Sequence, residues 1–215
     1  PNGAIIHYKS NSLTNRTLKK NDILLLDSGG QYKWGTTDVT RTTCIGKISK
    51  EVKNNFTRVL KGHIAVVTCD LSKKFNGHLI DKLARKPLKD IGKNYSHGTG
   101  HGVGFFLNVH EGPQSISKYN WVRLKEGMIL SNEPGFYLKN KYGIRIENLI
   151  YVKKIKKNLF FENLTYAPID TDLINFKMLT KNERKYLFYY HLELYNKISK
   201  KLNKYEKKWL LSLIK

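Results

Sequence analysis

Four carboxylates in this chain fall into two spaced pairs. Asp27 and Asp38 lie eleven residues apart, with glycines between them. A hairpin turning between Tyr32 and Lys33 sets the two side chains directly opposite each other, where Cβ atoms stand roughly 4.5–5.5 Å apart. Two like charges at that distance repel, so the arrangement makes physical sense around a cation. Glu133 and Glu147 repeat the device about Asn140, inside the polar turn Lys139-Asn140-Lys141. The spacing also fits two exposed pairs flanking turns, with no shared partner, and by itself does not choose between these readings.

A glycine-rich stretch adds histidines. Residues 97 to 104 read His-Gly-Thr-Gly-His-Gly-Val-Gly, and His110 follows in Val109-His110-Glu111-Gly112-Pro113. His97 and His101 are four apart, but the glycines exclude a helix. In an extended chain both rings face one side, and the alternate glycines allow close backbone approach. A donor set of two Asp, two Glu and one His is oxygen-dominated and suits Mn²⁺, Mg²⁺ or similar ions better than structural zinc. Four carboxylates also balance two divalent ions in charge. A dinuclear site of that kind activates a water for hydrolysis.

The elements that must carry these residues are partly readable. Asp22 to Asp27 reads as a buried strand, Ser28-Gly29-Gly30 as turn material, and Val39 to Ile45 as a second strand. Val52, Phe56, Val59, Leu60 and Ile64 recur at helical spacing across 50–68. Leu79, Leu83 and Ala84 suggest another helix stopping near Pro87. Strand patterns return from Gly127 to Val152. Residues 180 to 214 read as helical, opened by a capping box at Thr180 and Glu183, with Leu187, His191, Leu194 and Ile198 on one face.

Bulk properties narrow the class. The 215 residues are 40% hydrophobic and 12% aromatic, which is globular. No apolar run nears the ~18 residues needed to cross a membrane. Pro1 reads as a cut edge, with sequence missing before it. Cys44 and Cys69 show no metal spacing and read as two small buried apolar residues, which fits a reducing compartment. The net charge of +22 raises a nucleic-acid partner. However, the lysines are spread among many asparagines, with no zinc-finger spacing or aromatic RNA-binding signature. The dense tracts at 153–157 and 197–208 read as solvated faces. Neither nucleic acid nor membrane is expected as a partner.

At these motifs the chain resembles the pita-bread metallopeptidases, and among them the Xaa-Pro aminopeptidases (aminopeptidase P). The resemblance covers NGAIIHY (Asn2 to Tyr8), LLDSGGQYKWGTTDVTRT (Leu25 to Thr42), HGTGHGVGFFLNVHEGP (His97 to Pro113), EGMILSNEPGFY (Glu126 to Tyr137) and YGIRIEN (Tyr142 to Asn148). Leu164 to Asp170 and Tyr189-Tyr190-His191 are similar to the C-terminal extension of the eukaryotic-type cytosolic enzymes. The resemblance implies an α/β (α+β) pita-bread fold. Its mostly antiparallel curved sheet is flanked by helices and truncated at its start. A catalytic domain over 1–160 would be followed by a helical extension over 161–215.

The same resemblance implies a set of roles. Asp27, Asp38, His101, Glu133 and Glu147 would hold two divalent ions, foremost Mn²⁺, with Asp38 and Glu147 bridging. Glu133 would act as general base toward a metal-activated water. His7, His97 and His110 would contact the peptide and steady charge at the scissile carbonyl. Arg145 would orient a carboxylate ligand, while His63, His78 and His191 match no catalytic position. The implied activity removes the first residue of peptides with proline second, in a cytoplasmic enzyme that is a homodimer at full length. Prolidase and methionine aminopeptidase are rivals in substrate, but the HGTGHGVG run and EPGFY are similar to aminopeptidase P rather than to either. A non-catalytic binding relative would lose ligands, and this chain keeps all five.

Overall fold

A computed structural model of the chain describes residues 6–106 and 108–214. Asn2 to Ile5 of the first motif and Leu107 of the third lie outside them. The first hairpin is β1 (Ile23–Tyr32) paired with β2 (Gly35–Cys44). Its turn differs from the expectation by one residue. Tyr32 pairs with Gly35, so the chain turns at Lys33 and Trp34, and Asp27 faces Thr40 while Asp38 faces Gly29. Ser28-Gly29-Gly30 is strand rather than turn. The ladder runs through it, and the Gly30 N–H donates to the Thr37 hydroxyl at 3.0 Å. Because side chains alternate with period two, the two-residue offset leaves Asp27 and Asp38 on one face, now diagonal. Nor is β1 fully buried: Ile23 to Leu25 are half-buried and Leu26 is 57% exposed, since an antiparallel pair can leave one face to solvent.

Two helices follow. α1 (Lys50–Val67) starts on the Ser49 cap and buries Val52, Phe56, Val59, Leu60 and Ile64 along one stripe. α2 (Gly77–Lys89) starts on Asn76 and runs two residues past Pro87. The last turn closes around the proline because the N–H groups of Asp90 and Ile91 return to Lys86 and Leu88. The helices cross where Gly62 meets α2: a Cβ built on Gly62 would lie 2.2 Å from the Ala84 carbonyl oxygen.

The glycine-rich segment gives a short pair, β3 (Gly100–His101) with β4 (Ser115–Ile116). A bridge between Gly102 and Leu130 ties it to the second hairpin. That hairpin is interrupted. Its inner part pairs β6 (Gly135–Leu138) with β7 (Tyr142–Arg145), and its outer part pairs β5 (Ile129–Asn132) with β8 (Asn148–Ile155). Both parts keep one register about Asn140, which turns with φ 60. Glu133 and Glu147 therefore stand across from each other in the gap between the two ladders. β9 (Asn158–Asn163) pairs with β8, and every strand pairing among the described residues is antiparallel.

The helical tail is divided rather than continuous. α3 (Lys181–Ile198) has the expected capping box at Thr180 and Glu183. Ser199–Lys201 then tightens into a 3₁₀ turn, and Asn203 caps a separate α4 (Lys204–Ser212). One apolar cluster joins the tail to the rest, with Leu187, Leu194 and Leu210 packing with Phe56, Leu60 and Ile146. A second joins α1 and α2 to the strands through Val66, Ile80, Ile116, Leu130 and Ile150. Cys44 and Cys69 are free and half-buried rather than buried, and burial pushes their thiols up to about 11 and about 12. No helix among the described residues is long and apolar enough to cross a membrane. Gly62→Ala is expected to force the two helices apart and cost about 1–3 kcal/mol, as overpacking does, read as a lower denaturant midpoint with an unchanged slope.

Candidate metal centre

The gap in the second hairpin builds the site. Pro134 has no N–H, so the ladder thins there to one bond, from the Ile146 N–H to the Pro134 carbonyl at 3.4 Å, while the Glu133 and Glu147 N–H groups bond outward. The Glu147 N–H donates to the Thr40 carbonyl at 3.0 Å, and the Glu133 N–H donates to the Thr99 carbonyl at 2.7 Å. Each glutamate is thus fastened to one of the other two motifs. Thr40 also donates its hydroxyl to Glu147 Oε2 at 2.6 Å. Asp38, Thr40 and Thr42 alternate on the inner face of β2, with Asp27 across from Thr40.

His101 reaches this face because Gly100 lets the chain lie on β5. A Cβ on Gly100 would fall 1.9 Å from the Ser131 carbonyl oxygen. The His101 N–H donates to the Ser131 hydroxyl at 2.9 Å, and that hydroxyl donates to Glu133 Oε1 at 2.9 Å. His101 Nδ1 lies 2.9 Å from the Gly102 carbonyl oxygen, which fixes the proton of the neutral ring on Nδ1 and leaves a lone pair on Nε2. Nε2 stands 3.4 Å from Asp38 Oδ2 and 3.4 Å from Glu133 Oε1. One ligand atom each from Asp38, His101 and Glu147 falls within 4.8 Å of the others.

These distances suit a cation. Burial raises the Glu133 and Glu147 carboxyls above the ordinary range, and for Glu147 the charges of Glu133 and Asp38 add to the rise. Burial works against a charged His101, but the carboxylates of Asp38 and Glu133 outweigh it and raise its pKa. Crowded oxygens and a lone pair aimed at one point are what a divalent ion would satisfy. The residues present therefore fit the metal group that their pattern implies.

The remaining expected residues ring this cluster. Asp27 is on the open side, held through Arg145, whose Nη2 donates to Asp27 Oδ2 at 2.5 Å and whose Nε lies 4.0 Å from Glu133 Oε2. His97 Nε2 is 2.9 Å from the Tyr137 hydroxyl, which also accepts from Arg145 Nη1 at 3.0 Å. Burial pushes the His97 pKa down to about 4. The His110 ring stands edge-on to His101 at 4.1 Å, and His7 is farther out, 6.3 Å from His110. His63 is buried behind the site with Nδ1 3.2 Å from the Asn132 carbonyl oxygen. His78 stacks on Trp121, and His191 Nε2 accepts from the Ile169 N–H.

Sequence reasoning missed Thr40, Ser131, Tyr137 and Arg41. Two of them carried a usable signal: Thr40 stands two residues after Asp38 and Ser131 two before Glu133, so strand alternation puts each on its ligand's face. Gly100→Ala is expected to lift His101 from Ser131 and lower the Tm. Gly98→Ala, whose added Cβ comes no nearer than 3.6 Å to any neighbour, should stay within about 0.5 kcal/mol of wild type. Thermal denaturation of the two variants checks both outcomes.

The model of metallopeptidase family M24 matches residues 1–154, and that of the C-terminal region of peptidase M24 matches 157–214. A probable Xaa-Pro aminopeptidase P of Coprinopsis cinerea is 49% identical over 210 residues, covering 93% of this chain and 34% of the relative. The X-prolyl aminopeptidase of Caenorhabditis elegans, described as a cytosolic enzyme with a di-nuclear active site, superposes with a TM-score of 0.90 at 38% identity, over 99% of this chain and 37% of that one. A prolidase from Thermococcus sibiricus superposes less closely, with a TM-score of 0.66 at 34% identity, over 78% of this chain and 43% of its own. The chain spans about a third of the length of the curated relatives it matches. With the family model running through the two hairpins and the histidine loop that bring Asp38, His101 and Glu147 together, the chain belongs to metallopeptidase family M24.

Proposed function

We propose that this chain carries the catalytic centre of a metal-dependent aminopeptidase that removes the first residue of peptides with proline in second position. The observation that carries this reading is the meeting of Asp38, His101 and Glu147 within 4.8 Å, with Glu133 beside them. Likeness to Xaa-Pro aminopeptidases over nearly the whole chain supports the substrate class, and a cytoplasmic location follows the description of the Caenorhabditis elegans relative.

In this reading Asp27, Asp38, His101, Glu133 and Glu147 hold two divalent ions. The oxygen-rich donor set suits Mn²⁺, Mg²⁺ or similar ions better than structural zinc, and the likeness to Xaa-Pro aminopeptidases makes Mn²⁺ the ion to test first. When bound, the ions supply Lewis acidity for the scissile carbonyl and the attacking water. Glu133 would accept the proton of the attacking water, and the Ser131 hydroxyl that donates to its Oε1 holds the carboxylate in place for that role. Arg145 orients Asp27. Carboxylates near the centre receive the free amino group of the substrate, which limits cleavage to one residue.

His110 and His7 face the peptide. Of the three substrate-side histidines, His97 already has both nitrogens engaged, Nδ1 lying 2.6 Å from the Gly98 carbonyl oxygen and Nε2 near Tyr137. His110 is therefore the better placed to steady charge developing on the carbonyl oxygen.

The test is release of Arg from Arg-Pro-Pro by the intact protein, stripped of metal and refilled with Mn²⁺. Arg-Ala-Ala and the dipeptide Ala-Pro serve as comparisons. The expected result is turnover of Arg-Pro-Pro alone, abolished by chelator and restored by Mn²⁺. Glu133→Gln should reduce it by at least about 100-fold, the lower end of what a general base contributes. Cleavage of Ala-Pro instead would move the assignment to a prolidase. No turnover by the intact, metal-refilled protein would overturn the enzymatic reading.

A further inference from the structure

Arg41 stands next to Thr40 on β2 but points to the opposite face, away from the carboxylates. Its guanidinium is half-buried and meets six oxygens. Nη1 donates to the carbonyls of Thr40 and Glu147. Nη2 donates to Asn148 Oδ1 at 2.6 Å, the Ala167 carbonyl at 2.8 Å and the Tyr190 hydroxyl at 3.0 Å. Nε donates to the Pro168 carbonyl at 2.8 Å. All six acceptors are neutral, and no carboxylate lies within ion-pair distance of this guanidinium among the described residues.

Apart from the adjacent Thr40 carbonyl, the acceptors come from two parts of the chain. Glu147 and Asn148 belong to the metal-centre hairpin. Ala167, Pro168 and Tyr190 belong to the C-terminal region, within the segment that the second family model matches. That region is itself laced to the same strands. The Leu164 N–H donates to the Leu149 carbonyl at 2.8 Å, the Leu149 N–H donates to the Thr165 hydroxyl at 2.8 Å, and Asp170 Oδ2 accepts from the Thr43 hydroxyl at 2.7 Å and the Cys44 N–H at 3.0 Å. Residues 164–170 thus form a strap across the back of β2 and β8. Glu147 is gripped on three sides by Thr40 and Arg41: its N–H and its carboxylate by Thr40, its carbonyl by Arg41.

We propose that Arg41 is a positioning residue through which the C-terminal strap fixes the backbone of Glu147, and with it the geometry of the metal centre. Arginine suits the task because its planar fork addresses several fixed oxygens at once, which a lysine ammonium cannot. The proposal rests on the metallopeptidase reading, since it concerns how tightly the centre holds a cation.

The test is the Mn²⁺ dissociation constant of the metal-stripped intact protein, measured by competition with a chelating dye, for wild type, Arg41→Lys, Tyr190→Phe and the double variant. Arg41→Lys is expected to weaken Mn²⁺ binding by roughly 10–100-fold, the usual cost of losing a group that orients a ligand. Tyr190→Phe removes one hydroxyl far from the carboxylates and should weaken it several-fold. The double variant should be little worse than Arg41→Lys alone, because both changes break one connection. If Arg41→Lys does not fold, the near-isosteric Tyr190→Phe decides the matter. Mn²⁺ affinities within about twofold of wild type in the folded variants, with only a lower Tm, would overturn the positioning role and leave the functional reading intact. A wild-type protein that binds no Mn²⁺ would overturn that reading and this proposal with it.

Discussion

Carboxylates crowded into a buried space repel unless a positive charge is shared among them, and this constraint organises the whole centre. Asp38, Glu133 and Glu147 surround His101 on the inner face of two hairpins, with Asp27 joined to them through Arg145. Burial alone makes Glu133 and Glu147 reluctant to ionise. A fold that evades this cost spreads its acids over the surface. Here Thr40, Ser131 and Arg145 instead hold them in place from behind. Divalent ions would compensate the like charges gathered there.

The gathering depends on one interruption. Pro134 cannot donate a backbone hydrogen bond, so the second hairpin thins to one bond over two residues on each strand, and Glu133 and Glu147 stand there. Their N–H groups turn outward to Thr99 and Thr40. The second hairpin thereby clasps the histidine loop on one side and the first hairpin on the other. Arg41 extends the clasp to the C-terminal strap, so a region remote in sequence bears on Glu147.

Much of this was legible in the sequence, because ligands follow local periodicities. The Glu133–Glu147 register could be read from a polar turn centred on Asn140, and the same register persists on both sides of the gap. The Asp27–Asp38 register departs from the spacing because the ladder runs through Ser28-Gly29-Gly30 as far as Tyr32 and Gly35, which moves the turn one residue along, to Lys33 and Trp34. The face survived the shift because side-chain direction repeats every two residues. The division of the tail was hidden for a related reason. Lysine and leucine continue across 199–203, and only the capping pair of Asn203 and Glu206 marks a second helix. Arg41 was illegible, since its partners lie more than 100 residues away and its site-facing neighbour says nothing about the opposite face.

On the function proposed for this chain, the two hairpins and the histidine loop form one cation-binding centre. Thermal unfolding of the metal-stripped protein across a Mn²⁺ titration tests it most directly. Binding to the folded state alone stabilises by about 2.7 kcal/mol at a hundred times the Kd for a single site, so the Tm is expected to climb steadily with Mn²⁺ and the climb to disappear in Asp38→Asn. A Tm independent of Mn²⁺ in the folded wild-type protein would contradict it.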